Sequence, residues 1–228
     1  MQHPILVIGH RQGIGRAIAE HLCQAGHTVL GVSREAVDYQ HSHLTSLTFA
    51  AEDLTVEHLP ETLSGVVYAP GSINLKPFKS LKPADFLADF HINALGATHV
   101  LQVAEKALKA GQGSVLLFST VAVSQGMPFH ASIAMAKGAV EGLARSLAAE
   151  WAPHVRVNCI APSLTDTPLA AKLLGNEARA AAAAERHPLK RVGTVADIAE
   201  ISCTLLRSTW ISGEVIGVNG GMGRLRTA

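Results

Sequence analysis

Cysteine is scarce in this chain: Cys23, Cys159 and Cys203 are odd in number and lack CxxC spacing. That argues against a disulfide framework or a thiolate metal site and leaves three small core residues in a reducing compartment. Charge is sparse too, at 16% of residues and a formal +1, with Lys and Arg scattered rather than gathered into a stripe. A phosphate backbone needs such a stripe, so nucleic acid is not an expected partner. No apolar run approaches the length that spans a bilayer, and Met1-Gln2-His3-Pro4 offers no basic leader. No membrane partner and a cytoplasmic location are therefore expected. Twelve His residues include His41 and His43, yet no carboxylate or Cys stands at ligand spacing beside them. A solvated loop and no metal is the better reading.

What the chain does have is apolar material, 48% of its residues, which is ample for a buried core. No Pro/Gly/Ser-rich linker divides it and no repeat shows, so residues 1–228 are expected to form a single domain. Short apolar runs at 5–8, 28–33, 47–50, 66–68, 114–119, 155–160 and 215–218 read as strands. Between them, segments of helical period cover 14–25, 56–63, 83–109, 129–151, 168–186 and 195–206. Alternation of this kind predicts an α/β fold: one doubly wound parallel sheet of about seven strands with helices on both faces.

Directly after the first expected strand comes Gly9-His10-Arg11-Gln12-Gly13-Ile14-Gly15, running into a helix. Glycines there allow a tight turn, and the helix N-terminus offers unpaired N–H groups and partial positive charge to a pyrophosphate. A ligand-free βα turn has the same local composition, but the position at the start of a βαβ unit favours binding. On this reading Gly13 and Gly15 keep side chains out of the way of the pyrophosphate, and His10 and Arg11 add positive charge nearby.

The GxxxGxG spacing resembles that of the short-chain dehydrogenase/reductase family, and the resemblance extends over nearly the whole chain. It implies that Gly9, Arg11, Gly13, Ile14 and Gly15 hold a dinucleotide, with Asp53 and Leu54 against its adenine. Tyr68, Ala69, Pro70 and Gly71 stand where the family carries Asn-Asn-Ala-Gly. Asn93 in Asn93-Ala94-Leu95-Gly96 would shape the active site. Pro162, Thr165 and Thr167 would belong to the nicotinamide loop, in which Ser163 replaces the usual Gly. Residues 211–221 are similar to the family's last strand and its exit.

An NAD enzyme of this fold carries a carboxylate at the end of the second strand to bind the ribose hydroxyls, whereas this chain has Ser33-Arg34. A guanidinium and a hydroxyl suit a 2′-phosphate that a carboxylate would repel. NADP(H) is thus the expected cofactor, with NAD(H) second.

The family pattern breaks at the long helix. Lys137 is present, and the resemblance gives it the nicotinamide ribose, but four residues earlier the family's proton-transferring Tyr is replaced by Ile133. Thirteen residues before Ile133 stands Thr120, at the family's Ser position, with Ser119 beside it. His130, seven residues before Lys137, would share its stripe if the helix already includes it, and is a competent acid near neutral pH. Two functions fit these residues. One is an NADPH-dependent reductase of a small or apolar carbonyl or conjugated enoyl substrate. The other is a non-catalytic NADP(H)-binding protein, a redox sensor or inactive subunit. The resemblance also implies a homo-oligomer, tetramer or dimer, through the helix at 129–151, where Val140, Leu143, Ala144 and Leu147 supply apolar positions.

Overall fold

The first expected strand is apolar at every position, which suits a strand covered on both faces, and it lies in the interior of the sheet. The computed structural model describes residues 2–225. Its strands are β1 (Ile5–Ile8), β2 (Val29–Ser33), β3 (Leu44–Thr48), β4 (Gly65–Tyr68), β5 (Ser114–Phe118), β6 (Arg156–Pro162) and β7 (Val215–Val218). They pair in the order β3-β2-β1-β4-β5-β6-β7, parallel throughout. All residues of β1, β4 and β5 are buried, as parallel strands under helices on both faces must be.

The helices are α1 (Gly13–Gln24), α2 (Pro83–Phe90), α3 (Gly96–Ala110), α4 (Val121–Gln125), α5 (Ala131–Trp151), α6 (Glu177–Glu185) and α7 (Val195–Arg207). One core layer joins α3 and α5 to the sheet through residues such as Leu101, Leu108, Val140 and Trp151. The opposite layer joins α1 and α7 through Ile18, Leu22, Ile198 and Leu206. The expected doubly wound α/β architecture is therefore the observed one. Cys23, Cys159 and Cys203 are free and buried, as small core residues. Among the described residues no helix is long and apolar enough to cross a membrane.

Several expected boundaries are corrected, each for a local reason. The third strand lies at Leu44–Thr48 rather than 47–50, because its register is set by pairing with β2 from Val29↔Leu44 onward. The helix expected at 56–63 is only a 3₁₀ turn, Val56–His58, since Pro60 disfavours helical conformation in Leu59 and cannot donate a ladder bond. The segment 168–186 is a 3₁₀ turn, Pro168–Ala170, followed by α6, which starts afresh where Asn176 caps the Arg179 amide. The helix expected from 129 starts at Ala131, because Phe129 has φ +68.

The expected helix at 83–109 is one rod in three parts. Between α2 and α3 lies a π-helical turn, His91–Leu95, which carries Asn93. Such widened turns free backbone carbonyls from the regular ladder. Here Tyr68, at the end of β4, donates its hydroxyl to the Ile92 carbonyl at 2.7 Å. A Cβ on Gly96 would lie 2.2 Å from that hydroxyl, so glycine is required for the ring to reach over the rod. Tyr68→Phe removes the only donor in this contact and should lower stability by about 1–2 kcal/mol, read as a shift in urea midpoint with an unchanged slope.

Candidate active site

Parallel pairing brings the carboxyl ends of all the strands to one edge, and the winding direction reverses between β1 and β4. Open α/β sheets bind ligands at such a point. Two adjoining clefts, of about 330 and 500 Å³, run along this edge and share Ile14, Ala69, Pro70, Gly71, Thr167 and Leu169. Together they form one furrow with two different halves.

The first half lies over the ends of β1 and β2. Gly9 and Gly13 have φ of +82 and +59, so the loop turns as only glycine does readily, and it delivers the N-terminus of α1 to the furrow. Gly9, Arg11, Gly13, Ile14, Ser33 and Arg34 all line this half. Arg34 is exposed, and among the described residues its guanidinium has no hydrogen bond or ion-pair partner. Arg11 is paired with Glu35 at 2.9 Å. Ser33 donates its hydroxyl to the Glu35 carbonyl at 2.8 Å, which leaves its oxygen as an acceptor and its proton committed.

Three expectations here are corrected. His10 lies in the loop sequence but its ring is fully buried beneath it, hydrogen-bonded to Ser46 at 2.8 Å. Burial lowers its pKa, so it adds no charge to the loop. The Leu54 side chain is 1% exposed in the core, and Asp53 is exposed beside the lining residues Ala51 and Glu52 rather than among them. The wall of the cleft itself is built by Phe49, Ala51 and Glu52, where the 3₁₀ turn Ala51–Asp53 presents its first residues. Gly15 does not line the furrow. A Cβ there would meet the Gly9 carbonyl oxygen at 2.3 Å, so this glycine permits α1 to pack on the loop rather than a ligand to approach.

The second half lies over β5 and β6 and is largely apolar, with Ile73, Leu75, Phe118, Met127, Leu164 and Leu173 among its walls. Lys137 and Ile133, one turn apart on α5, both face it. The Lys137 ammonium has no hydrogen-bond partner among the described residues, and burial pulls its pKa down to about 8 against the opposing pull of Cys159 and Asp89. Asn93 is buried behind Gly71: a Cβ on that glycine would stand 3.3 Å from Asn93 Oδ1 and 3.5 Å from Lys137 Nζ.

The two hydroxyls differ. Ser119 donates to Glu141 at 2.7 Å, so its proton is engaged, whereas Thr120 caps α4 by accepting from the Ala122 amide at 3.3 Å and keeps its own proton free. His130 lines the cleft but stands before the first turn of α5, not on its stripe. Its Nδ1 donates to the Pro128 carbonyl at 2.7 Å, which leaves Nε2 uncommitted.

Pro162 ends β6, and Thr165 and Thr167 follow on the loop that closes the furrow. Thr167 accepts from the Ala170 amide at 3.2 Å, starting the 3₁₀ turn there. Ser163, in place of glycine, donates to Nε2 of buried His187 at 2.9 Å, while Nδ1 of that ring donates to the Ala183 carbonyl. Ser163 therefore ties the loop to α6. Sequence reading missed His187, as it missed Ser72, Asp89 and Ser132, which surround Asn93. These residues come from separate segments and have no common spacing to betray them.

Comparison with known proteins agrees with this geometry. The family model described as enoyl-(acyl carrier protein) reductase matches residues 44–223. A tropinone reductase homolog of Arabidopsis thaliana is 32% identical over 95% of this chain and 91% of its own length. The peroxisomal 2,4-dienoyl-CoA reductase of Saccharomyces cerevisiae is 33% identical over 66% of this chain and 52% of its own. The solved structure of ElxO with NADP bound superposes with a TM-score of 0.87 over 97% of this chain and 99% of that one, at 22% identity, a likeness of fold.

The two loop glycines separate by experiment. Gly13→Ala meets nothing closer than 3.7 Å and should cost only about 1 kcal/mol for its left-handed backbone. Gly15→Ala drives a methyl group into the Gly9 carbonyl and should cost about 3 kcal/mol or more, or abolish folding. Chemical denaturation of the two variants tests the order.

Proposed function

Because this chain belongs to the short-chain dehydrogenase/reductase family, a family of oxidoreductases, we propose that it is an NADPH-dependent reductase of a small or apolar carbonyl or conjugated enoyl compound. The observation that carries this reading is the furrow itself, with an unpaired Arg34 at one end and an apolar chamber around Lys137 at the other. The NADP bound to ElxO and the conjugated substrate named for the yeast relative support it.

The positive-φ glycines and the N-terminus of α1 fit a pyrophosphate, and Arg34 fits a 2′-phosphate, with Arg11 held beside it by Glu35. Thr165 and Thr167 would hold the nicotinamide end, and Lys137 its ribose. When bound, the reduced nicotinamide supplies a hydride.

The protein must then supply a proton or stabilise an anion without a tyrosine. Ile133 offers neither. The donors on this wall are the Lys137 ammonium and the Thr120 hydroxyl, joined by His130 Nε2 when that ring carries both protons, since its Nδ1 proton goes to the Pro128 carbonyl. With its pKa near 8, Lys137 is mostly charged at neutral pH yet gives up its proton more readily than a solvated lysine. A substrate whose anion is delocalised needs the least help, which favours conjugated enones and thioesters over simple ketones. Ile133 is also the one observation that favours a non-catalytic NADP(H)-binding role, and turnover decides between the two.

The same reading makes the chain a single cytoplasmic domain that assembles as a dimer or tetramer on α5. Val140 and Ala144 are committed to the core, so the apolar positions left for a partner there are the half-buried Leu143 and Leu147.

Arg34→Ala should weaken NADPH binding by about 1–3 kcal/mol, as for loss of a charge-assisted contact, and leave NADH nearly untouched. Equal losses in calorimetric titration would remove the 2′-phosphate role. For the chemistry, purified protein with NADPH should reduce a conjugated enone or enoyl thioester faster than a simple ketone, and Ile133→Tyr should raise ketone reduction. In the parent protein the rate should hold at low pH and decline as pH rises through about 8, because the Lys137 ammonium exists below that value and is lost above it. No turnover of either class by parent or variant, despite measured NADPH binding, makes the non-catalytic role the correct one.

A further inference from the structure

The Asn93 amide sits in a contradiction that its neighbours explain. Its Oδ1 is buried with no hydrogen-bond partner among the described residues, a costly arrangement that still does not make the amide turn over. Its neighbours prevent the turn. Nδ2 donates to the Asp89 backbone carbonyl at 2.7 Å and to Ser72 Oγ at 2.9 Å. A carbonyl can only accept. Ser72 has a single proton, and it goes to Asp89 Oδ1 at 2.6 Å, so towards Asn93 this hydroxyl can only accept as well. Asp89 Oδ2 in turn accepts from Ser132 on α5 at 2.5 Å. The carboxylate is 3% exposed, at the seam between α2 and α5.

Packing alone does not call for this arrangement. An apolar residue would fill the seam without a carboxylate to desolvate, and buried charge is weak evidence of stabilisation. What the carboxylate does contribute is direction.

We propose that Asp89 is a positioning residue: acting through Ser72, it locks the Asn93 amide with Oδ1 towards the back of Gly71 and Lys137, as an acceptor for a buried water beside the Lys137 ammonium. Its catalytic meaning rests on the reductase reading, but the lock is a property of the folded chain. Asn93 Oδ1 then stands behind Gly71 as a fixed acceptor near a fixed donor, the Lys137 ammonium, and a small group that both donates and accepts, such as a water, satisfies both.

The test reads the amide directly. In full-length protein labelled with ¹⁵N-asparagine, the side-chain NH₂ signal lost in Asn93→Ala identifies the group. Both protons should exchange slowly in the parent. Ser72→Ala and Asp89→Leu should speed exchange by about tenfold or more, as for loss of a hydrogen bond. Asp89→Asn should restore slow exchange, because its side-chain carbonyl can still accept from Ser72. If Asp89→Leu does not fold, Ser72→Ala carries the comparison.

Turnover forms the second arm. Ser72→Ala and Asp89→Leu should lower kcat by about tenfold with the KM for NADPH unchanged, and neither should add to the loss in Asn93→Ala, since coupled residues are not additive. Unchanged amide exchange in folded Ser72→Ala, or full additivity with Asn93→Ala, overturns the proposal. Slow exchange that responds as expected in a protein without turnover removes the reductase reading and leaves the lock standing.

Discussion

Parallel pairing of every strand is the constraint from which the site follows. It sends the ends of β1, β2, β4, β5 and β6 to the same edge, and the reversal of winding between β1 and β4 opens a furrow there that no helix covers. Because these strands are buried on both faces, their interiors can hold little but apolar residues. The polar groups that the strands themselves deliver therefore come from the first residues beyond them, such as Arg11, Arg34, Ser119, Thr120 and the loop after Pro162, while Lys137 is brought to the furrow by α5.

A second constraint is the burial of Lys137. Its stem lies in an apolar chamber and its ammonium meets only weak opposition to desolvation, from Cys159 and Asp89. In the family pattern a tyrosine one turn earlier shares this wall. Here Ile133 stands at that position and makes the chamber more apolar around the Lys137 ammonium. The changes around it are mutually consistent. Tyr68 replaces the family's Asn at the end of β4 and reaches across Gly96 to hold the π-helical turn, while Ser72 and Asp89 orient the Asn93 that the turn carries.

Much of this was legible in the residues. Continuous apolar runs marked β1, β4 and β5, and the glycine spacing marked the loop to within a residue, because both signals are local: a strand covered twice is apolar throughout, and glycine makes a left-handed turn at the least cost. The spacing of Ile133, Thr120 and Lys137 was equally plain. The less secure elements were those whose form depends on a partner. The polar Thr45 and Ser46 hide the start of the third strand, which reads as 47–50, and pairing with β2 begins it at Leu44. Beyond its end Ala51 and Glu52, not Asp53 and Leu54, line the furrow.

By itself, then, the order of residues determined the fold class, the strand–loop–helix unit at the start of the chain and the absence of the tyrosine, since each is written in local pattern or in the bare identity of one side chain. Only the tertiary structure decided which polar groups point into the furrow and which are used elsewhere. His10 belongs to the loop but is buried under it, Ser119 spends its proton on Glu141, and Ser163 is tied to His187. A side chain's donors and acceptors are few, and where each one goes depends on neighbours brought from distant parts of the chain, which no spacing along the sequence records.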